Sequence, residues 1–192
     1  MSIRSIIVAL TLLIVPVVAR TAENDDFNPY KNAKVGDFAT YKINTKVGGL
    51  NLPGMVTQTV TAKTDKEATL KVVSSINGMD LANPPQTVDL TKPYDPTKGF
   101  TTGFEGTIKK AKDGKEKVKV NGKEYEATWT SYDLDGKMSG MDVKANIKIW
   151  LSKEVTLGVA KLEMTAEMKN QNAEPMKYEI TMEPSETGNK KP

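Results

Sequence analysis

Between Val35 and Pro184 apolar residues recur at every second position, stretch after stretch, and nowhere at helical spacing over the length of a helix. Ala39, Tyr41, Ile43, Thr45 and Val47 share one side of the backbone, while Thr40, Lys42, Asn44 and Lys46 share the other. Successive side chains of an extended chain point to opposite faces, so this pattern describes a strand with one face in a core and one in water. The alternation resumes at Val56, Val60 and Ala62, and again at Ala68, Leu70, Val72, Ser74 and Ile76. Later runs carry Tyr125, Ala127 and Trp129; then Met141, Val143, Ala145, Ile147 and Ile149; then Leu162, Met164, Ala166 and Met168; and finally Met176, Tyr178, Ile180 and Met182. With the shorter runs between them these predict an all-β chain of about eight to ten antiparallel strands with little helix.

Turn chemistry punctuates the pattern. Asn121-Gly122 is the strongest hairpin signal, because both central residues tolerate positive φ. Gly48-Gly49, Pro53-Gly54 and Asp113-Gly114 read as further turns, the last separating a strand over 107–111 from one over 115–120. Residues 77–103 are the least regular, with Pro84, Pro85, Pro93 and Pro96 around a short Thr87-Val88-Asp89-Leu90 strand. Prolines there suit loops and sheet edges.

One-faced strands with no helix to cover them bury their apolar face by curling or by pairing with a second sheet. The expected fold is therefore a single curved antiparallel sheet, a half-barrel, or an open β-sandwich. Its concave face either fills with its own side chains or admits an apolar guest. Tyr41, Ile43, Leu70, Trp129, Ile147, Met164, Met168 and Tyr178 are the candidate ligand-facing residues. Met55, Met164, Met168, Met176 and Met182 are candidate methionines of the same surface, where unbranched thioethers repack readily. Trp150 falls opposite Ile147 and Ile149, so it is either an exposed contact for a partner or is turned inward by a bulge.

At the N-terminus Arg4 precedes an uncharged run from Ser5 to Ala19 that closes on Val17-Val18-Ala19. This is the pattern of a cleaved export signal; the run is short for a membrane span and contains Pro16. The expected organisation is a signal peptide at 1–19, a flexible segment at 20–34, one β domain at 35–184 and a disordered tail at 185–192. The chain has no cysteine, which excludes a disulfide framework and a lipid-modified cysteine after the signal. The exported protein is expected in a periplasm or outside the cell, and as a monomer, because lysines and prolines block edge pairing.

Composition also narrows the chemistry. Lys and Arg total 27 against 24 Asp and Glu, a net charge of +3 spread over a mixed surface. No arginine follows Arg20, so no guanidinium fork is available for phosphate or base recognition, and no nucleic-acid partner is expected. Histidine is absent as well as cysteine, which removes Ser-His and Cys-His nucleophile systems and the usual zinc ligands. Acids such as Glu124, Glu126, Glu163 and Glu167 alternate with apolar residues and read as a solvated strand face. Asp133, Asp135, Ser139 and Asp142 offer hard oxygens but lack a full calcium-loop pattern and read as a turn. Met138 with Met141, or Met164 with Met168, offer soft ligands for copper, yet their spacing places them in a core. No enzyme activity, metal or cofactor is expected.

The stretches Gly114–Ala127 and Ile149–Leu162 resemble a pattern of exported bacterial proteins in the half-barrel group of LolA-type lipoprotein carriers. The resemblance covers about residues 104–183 and extends to Asn28-Pro29-Tyr30 and Val35-Gly36-Asp37. It implies a half-barrel with a lipid-binding concave face. The carriers control their cavity with a buried arginine, which this chain lacks after Arg20, so no functional residue carries over. The functional expectation is an exported non-enzymatic protein holding a lipid or other apolar envelope ligand. The alternative is a structural or interaction module of the envelope, with a self-filled core and an envelope protein as partner. A carrier predicts an apolar cavity, and an interaction module predicts continuous packing.

Overall fold

The computed structural model describes residues 27–94, 103–170 and 174–190. The expected signal peptide at 1–19, Pro96 and the last two residues lie outside them. Ten strands follow one another: β1 Asp37–Val47, β2 Leu50–Lys63, β3 Glu67–Ile76, β4 Met79–Ala82, β5 Gln86–Asp89, β6 Phe104–Val120, β7 Lys123–Met138, β8 Met141–Leu151, β9 Val159–Lys169 and β10 Met176–Asn189. They form one antiparallel sheet in the order β4-β3-β2-β1-β10-β9-β8-β7-β6, with β5 also on β3. The first and last strands meet in the middle, through pairs from Asp37↔Asn189 to Val47↔Tyr178. The sheet is thus an up-and-down meander joined end to start and left open at one seam, between β5 and β6. That is the curled half-barrel.

The period-two pattern sets which face is inside. In β3 the buried residues are Ala68, Leu70, Val72, Ser74 and Ile76, and every intervening residue is at least partly exposed. In β1 Tyr41, Ile43, Thr45 and Val47 face inward, joined by Val56 and Val60 of β2, Ile147 and Ile149 of β8, Leu162 and Met164 of β9 and Ile180 and Met182 of β10. Asn121-Gly122 forms the predicted tight turn, with φ of 50° and 81°.

Two other turn signals do not make turns. Pro53-Gly54 lies within β2, where Pro53 sits level with Asn77 and accepts from its N–H at 2.8 Å, just as β3 turns away. Asp113-Gly114 lies within a continuous β6, because the ladder to β7 runs on through Asp113↔Thr130 and Gly114↔Trp129. The irregularity there is a bulge at Ala111, between Lys110 and Lys112. A bulge inserts one residue and so exchanges the faces of the strand beyond it. Thr61 is similarly bulged against β3, which turns Ala62 outward. Asp133 and Asp135 belong to β7 and not to a turn, paired with Asn146 and Lys144 of β8.

Three glycines in the sheet make room for aromatic rings. Gly106 and Gly136 are directly paired, and a Cβ on either comes within 2.9 Å of Cζ of Phe104. The ring lies across the glycine pair, restoring the apolar cover that the glycines themselves lack. Trp129 covers Gly114 in the same way, at 3.0 Å from where a Cβ stands.

Both expected flexible ends are ordered where they are described. Residues 185–189 continue β10 against β1, which corrects the tail at 185–192 as far as Asn189. Residues 27–34 are pinned to the barrel and carry Asn28 at 3 % and Tyr30 at 0 % exposure. The sequence there is polar, but its polar groups are used for docking.

Candidate functional site

Seven of the eight candidate ligand-facing residues converge on the concave face. Tyr41, Leu70 and Ile147 are fully buried, and Ile43, Met164, Met168 and Tyr178 are nearly so, all in one apolar cluster. Trp129 is the exception: it lies on the outer face, in a second cluster with Val118, Val120, Ala127, Trp150, Val155 and Ala160. The distal half of the β6–β7 hairpin folds back over the outer face of β8 and β9. Its tip reaches β10, where the Asn121 side-chain amide donates to the Pro184 carbonyl. Trp150 is therefore neither an exposed contact nor turned inward by a bulge; it stays on the outer face and is buried there by the hairpin.

Around these tryptophans the outer cluster is polar at its margin. Lys148 Nζ stands 4.1 Å from the centre of the Trp129 ring and 4.3 Å from that of Trp150. Glu116 accepts from the Trp150 indole N–H and, at 3.0 Å, from Lys148. The indole bond first, and then the Lys148 bond, hold the Glu116 carboxyl below its ordinary range. The Trp150 indole, Lys148, Glu116 and both tryptophan rings are engaged with one another, so the cluster reads as a clamp on the hairpin.

Met55 is also outward, 47 % exposed, which removes it from the concave set. Met164, Met168 and Met182 are buried inside, with Met176 packed against them. Met138 and Met141 join the same core. Met138, Met141, Met168 and Met176 make the end of the barrel that carries the turns after Val47, Ile76 and Met138 rich in methionine, while Met164 and Met182 lie at mid-height, level with Ile147 and Ile43. At that end the apolar surface continues into the open: Leu50 is 59 % and Met79 46 % exposed, with Leu52 and Leu81 half-buried beside them. Leu50 pairs with Val47, and Met79 with Ile76, so both project from the concave side.

The opposite end is closed by residues 27–34, a feature with no signal in the hydrophobic pattern. Asn28 Nδ2 donates to the carbonyls of Asp89 at 3.1 Å and Lys92 at 3.2 Å, and its Oδ1 accepts from Tyr30 N–H. Pro29 packs against Gly158 in the β8–β9 loop, where a Cβ would meet it at 2.5 Å. Lys63 Nζ donates to the carbonyls of Lys31 and Ala33 at 2.7 and 2.6 Å. The segment thus straps the β5 side of the seam to the β8–β9 loop. Asp89, at the anchor, has its pKa lowered to about 2, chiefly by the Thr91 hydroxyl and N–H.

Beneath the strap the core turns polar. Tyr30 Oη donates to Gln58 Oε1 at 3.3 Å, and its ring is 5.4 Å from that of Tyr94. Tyr41 Oη, fully buried, has no hydrogen-bond partner among the described residues, and neither does Thr130 Oγ1. Burial, reinforced by neighbouring tyrosines, pushes the Tyr30 and Tyr41 hydroxyls well above their usual pKa, so both stay protonated. Two further grooves, of about 530 and 610 Å³, are open and lie on the outer face among mixed charges. Among the described residues no group of three or more acidic side chains is placed to hold a metal ion.

No protein-family model matches the chain. No curated protein matches it either. Similar solved structures include a protein from Bacteroides fragilis described as exported and with a YmcC-like fold, at 10 % identity and TM-score 0.44, covering 80 % of this chain and 97 % of that one. An S-type phycobiliprotein lyase from Guillardia theta matches at 10 % identity and TM-score 0.34, covering 80 % and 89 %. A LolA superfamily protein from Nitrosomonas europaea matches at 9 % identity and TM-score 0.23, covering 90 % and 95 %.

Proposed function

We propose that this is an exported, non-enzymatic protein that binds an apolar ligand along its concave face. The observation that carries the reading is the largely apolar surface running from the exposed rim at Leu50 and Met79 into the methionine-rich interior. Methionine side chains rearrange at low cost, so they can yield to a guest that branched residues would refuse. In this conformation Tyr41, Leu70 and Ile147 at the centre of the face are fully buried, and binding proceeds by uncovering them. The non-enzymatic part of the reading rests on composition: without histidine and cysteine the chain cannot build a Ser-His or Cys-His nucleophile system.

Native mass spectrometry of the protein purified from its own envelope tests the reading. A discrete lipid-like adduct, released on denaturation, is the expected result. A bare chain that also takes up no lipophilic probe would overturn it. The full burial of Tyr41, Leu70 and Ile147 favours the second reading, an interaction module with a closed core. That result would establish it.

A further inference from the structure

Among the described residues the concave face contains hydroxyls and amides but no ionised group. The buried polar side chains among the described residues are Asn28, Thr40, Thr45, Gln58, Ser74, Thr130, Ser131 and Ser152, together with the tyrosines of the core. A carboxylate or phosphate carried inside would be stripped of water with no counter-ion to meet it, which costs far more than burying a neutral polar group. A neutral oxygen is a different matter. Tyr41 Oη is a buried donor with no hydrogen-bond partner among the described residues, and burial pushes its pKa well above the usual tyrosine value. Native interiors rarely leave such a group unpaired, and it is explained when a ligand completes it.

Its position gives the ligand a direction. Along β1 the inward residues run from Tyr41, near Tyr30 and the strap, through Ile43 to Val47, the partner of rim residue Leu50. One end of the face is therefore polar and covered by the strap, and the other is apolar and open at the rim. Resting on the proposed apolar-ligand reading, we infer that the ligand is a neutral amphiphile. Its uncharged oxygen head accepts from Tyr41 beneath the 27–34 strap, and its chain lies toward the methionine end. An ester or alcohol of a long acyl chain has this chemistry; a free fatty acid or an anionic phospholipid does not.

The test is displacement of the neutral probe N-phenyl-1-naphthylamine from the full exported chain by monoolein, by oleate and by a long-chain alkane. It is run at about pH 8, where the free acid is ionised. Monoolein should compete at least roughly tenfold better than oleate, the unpaired buried charge setting the difference. Tyr41→Phe should weaken monoolein roughly fivefold, the size of one hydrogen bond, and leave the alkane unchanged. Oleate competing as well as monoolein would overturn the neutral-head inference while leaving the apolar-ligand reading standing. Equal losses for monoolein and alkane in the folded variant would overturn the Tyr41 subsite alone. Failure of the probe itself to bind would remove both readings.

Discussion

Tyr41→Phe should make the protein more stable. The hydroxyl of Tyr41 is fully buried and unpartnered, so the folded state carries the cost of removing it from water without the return of a hydrogen bond. Such a group costs roughly 1–3 kcal/mol, and deleting it exchanges that penalty for the loss of a few dispersion contacts at one atom. The net expectation is a gain of about 1 kcal/mol, which for a domain of this size raises Tm by about 2–4 °C. Tyr30→Phe is the built-in contrast. Tyr30 donates to Gln58, itself 1 % exposed, so removing that donor leaves a buried carbonyl unpaired and should destabilise by roughly 1–3 kcal/mol. Urea unfolding followed by tryptophan fluorescence measures both, with an unchanged m-value showing that the unfolded state is not involved. A Tyr41→Phe variant less stable than the parent would show that the hydroxyl is already paired inside the core. The donor invoked for the ligand would then be occupied.

Gly106→Ala and Gly136→Ala should each cost about 1–3 kcal/mol in the same assay, because the new methyl meets the partner glycine's Cα at 2.6 Å and displaces the Phe104 ring. The Glu116 carboxyl has its pKa lowered in the folded state, so its contribution is present above the ordinary value of 4.5 and is lost as pH falls through the lower, folded value. Trp150 emission should therefore change only below the ordinary value, and Glu116→Gln should abolish that transition; a transition retained in the variant would refute the assignment. Asp89 obeys the same sign over a window from 3.8 down to about 2. The Asn28 side-chain amide, followed by NMR, should lose its protection in that window, and Asp89→Asn should show the loss already at neutral pH.

The strand pattern was legible because each strand states its own faces. Alternation in β1, β3, β8, β9 and β10 needs no information beyond neighbouring residues, so Tyr41, Leu70, Ile147, Met164 and Tyr178 could be assigned inward from the sequence. The Asn121-Gly122 turn was equally local, a matter of two residues that accept positive φ. Pro53-Gly54 and Asp113-Gly114 carry comparable local signals, yet both lie inside strands because the neighbouring strand continues past them. Turn propensity lost there to ladder hydrogen bonds and to rings that cover the glycine.

What the sequence alone determined is the class of structure: one-faced strands without a helix must curl, and a chain without histidine, cysteine or later arginine has few chemistries open to it. Tertiary structure decided which alternating residues share a core. Trp129 follows the same period as its neighbours but faces outward, because the β6–β7 hairpin bends over the back of the sheet and Asn121 fastens its tip to Pro184. Residues 27–34 look polar and free along the chain. They are ordered because the carbonyls that receive Asn28 lie 61 and 64 residues away and come within reach only when the sheet has curled. Alternation is a property of a strand and its nearest neighbours; the seam, the strap and the buried Tyr41 hydroxyl are products of closure, which brings together residues that no local spacing relates.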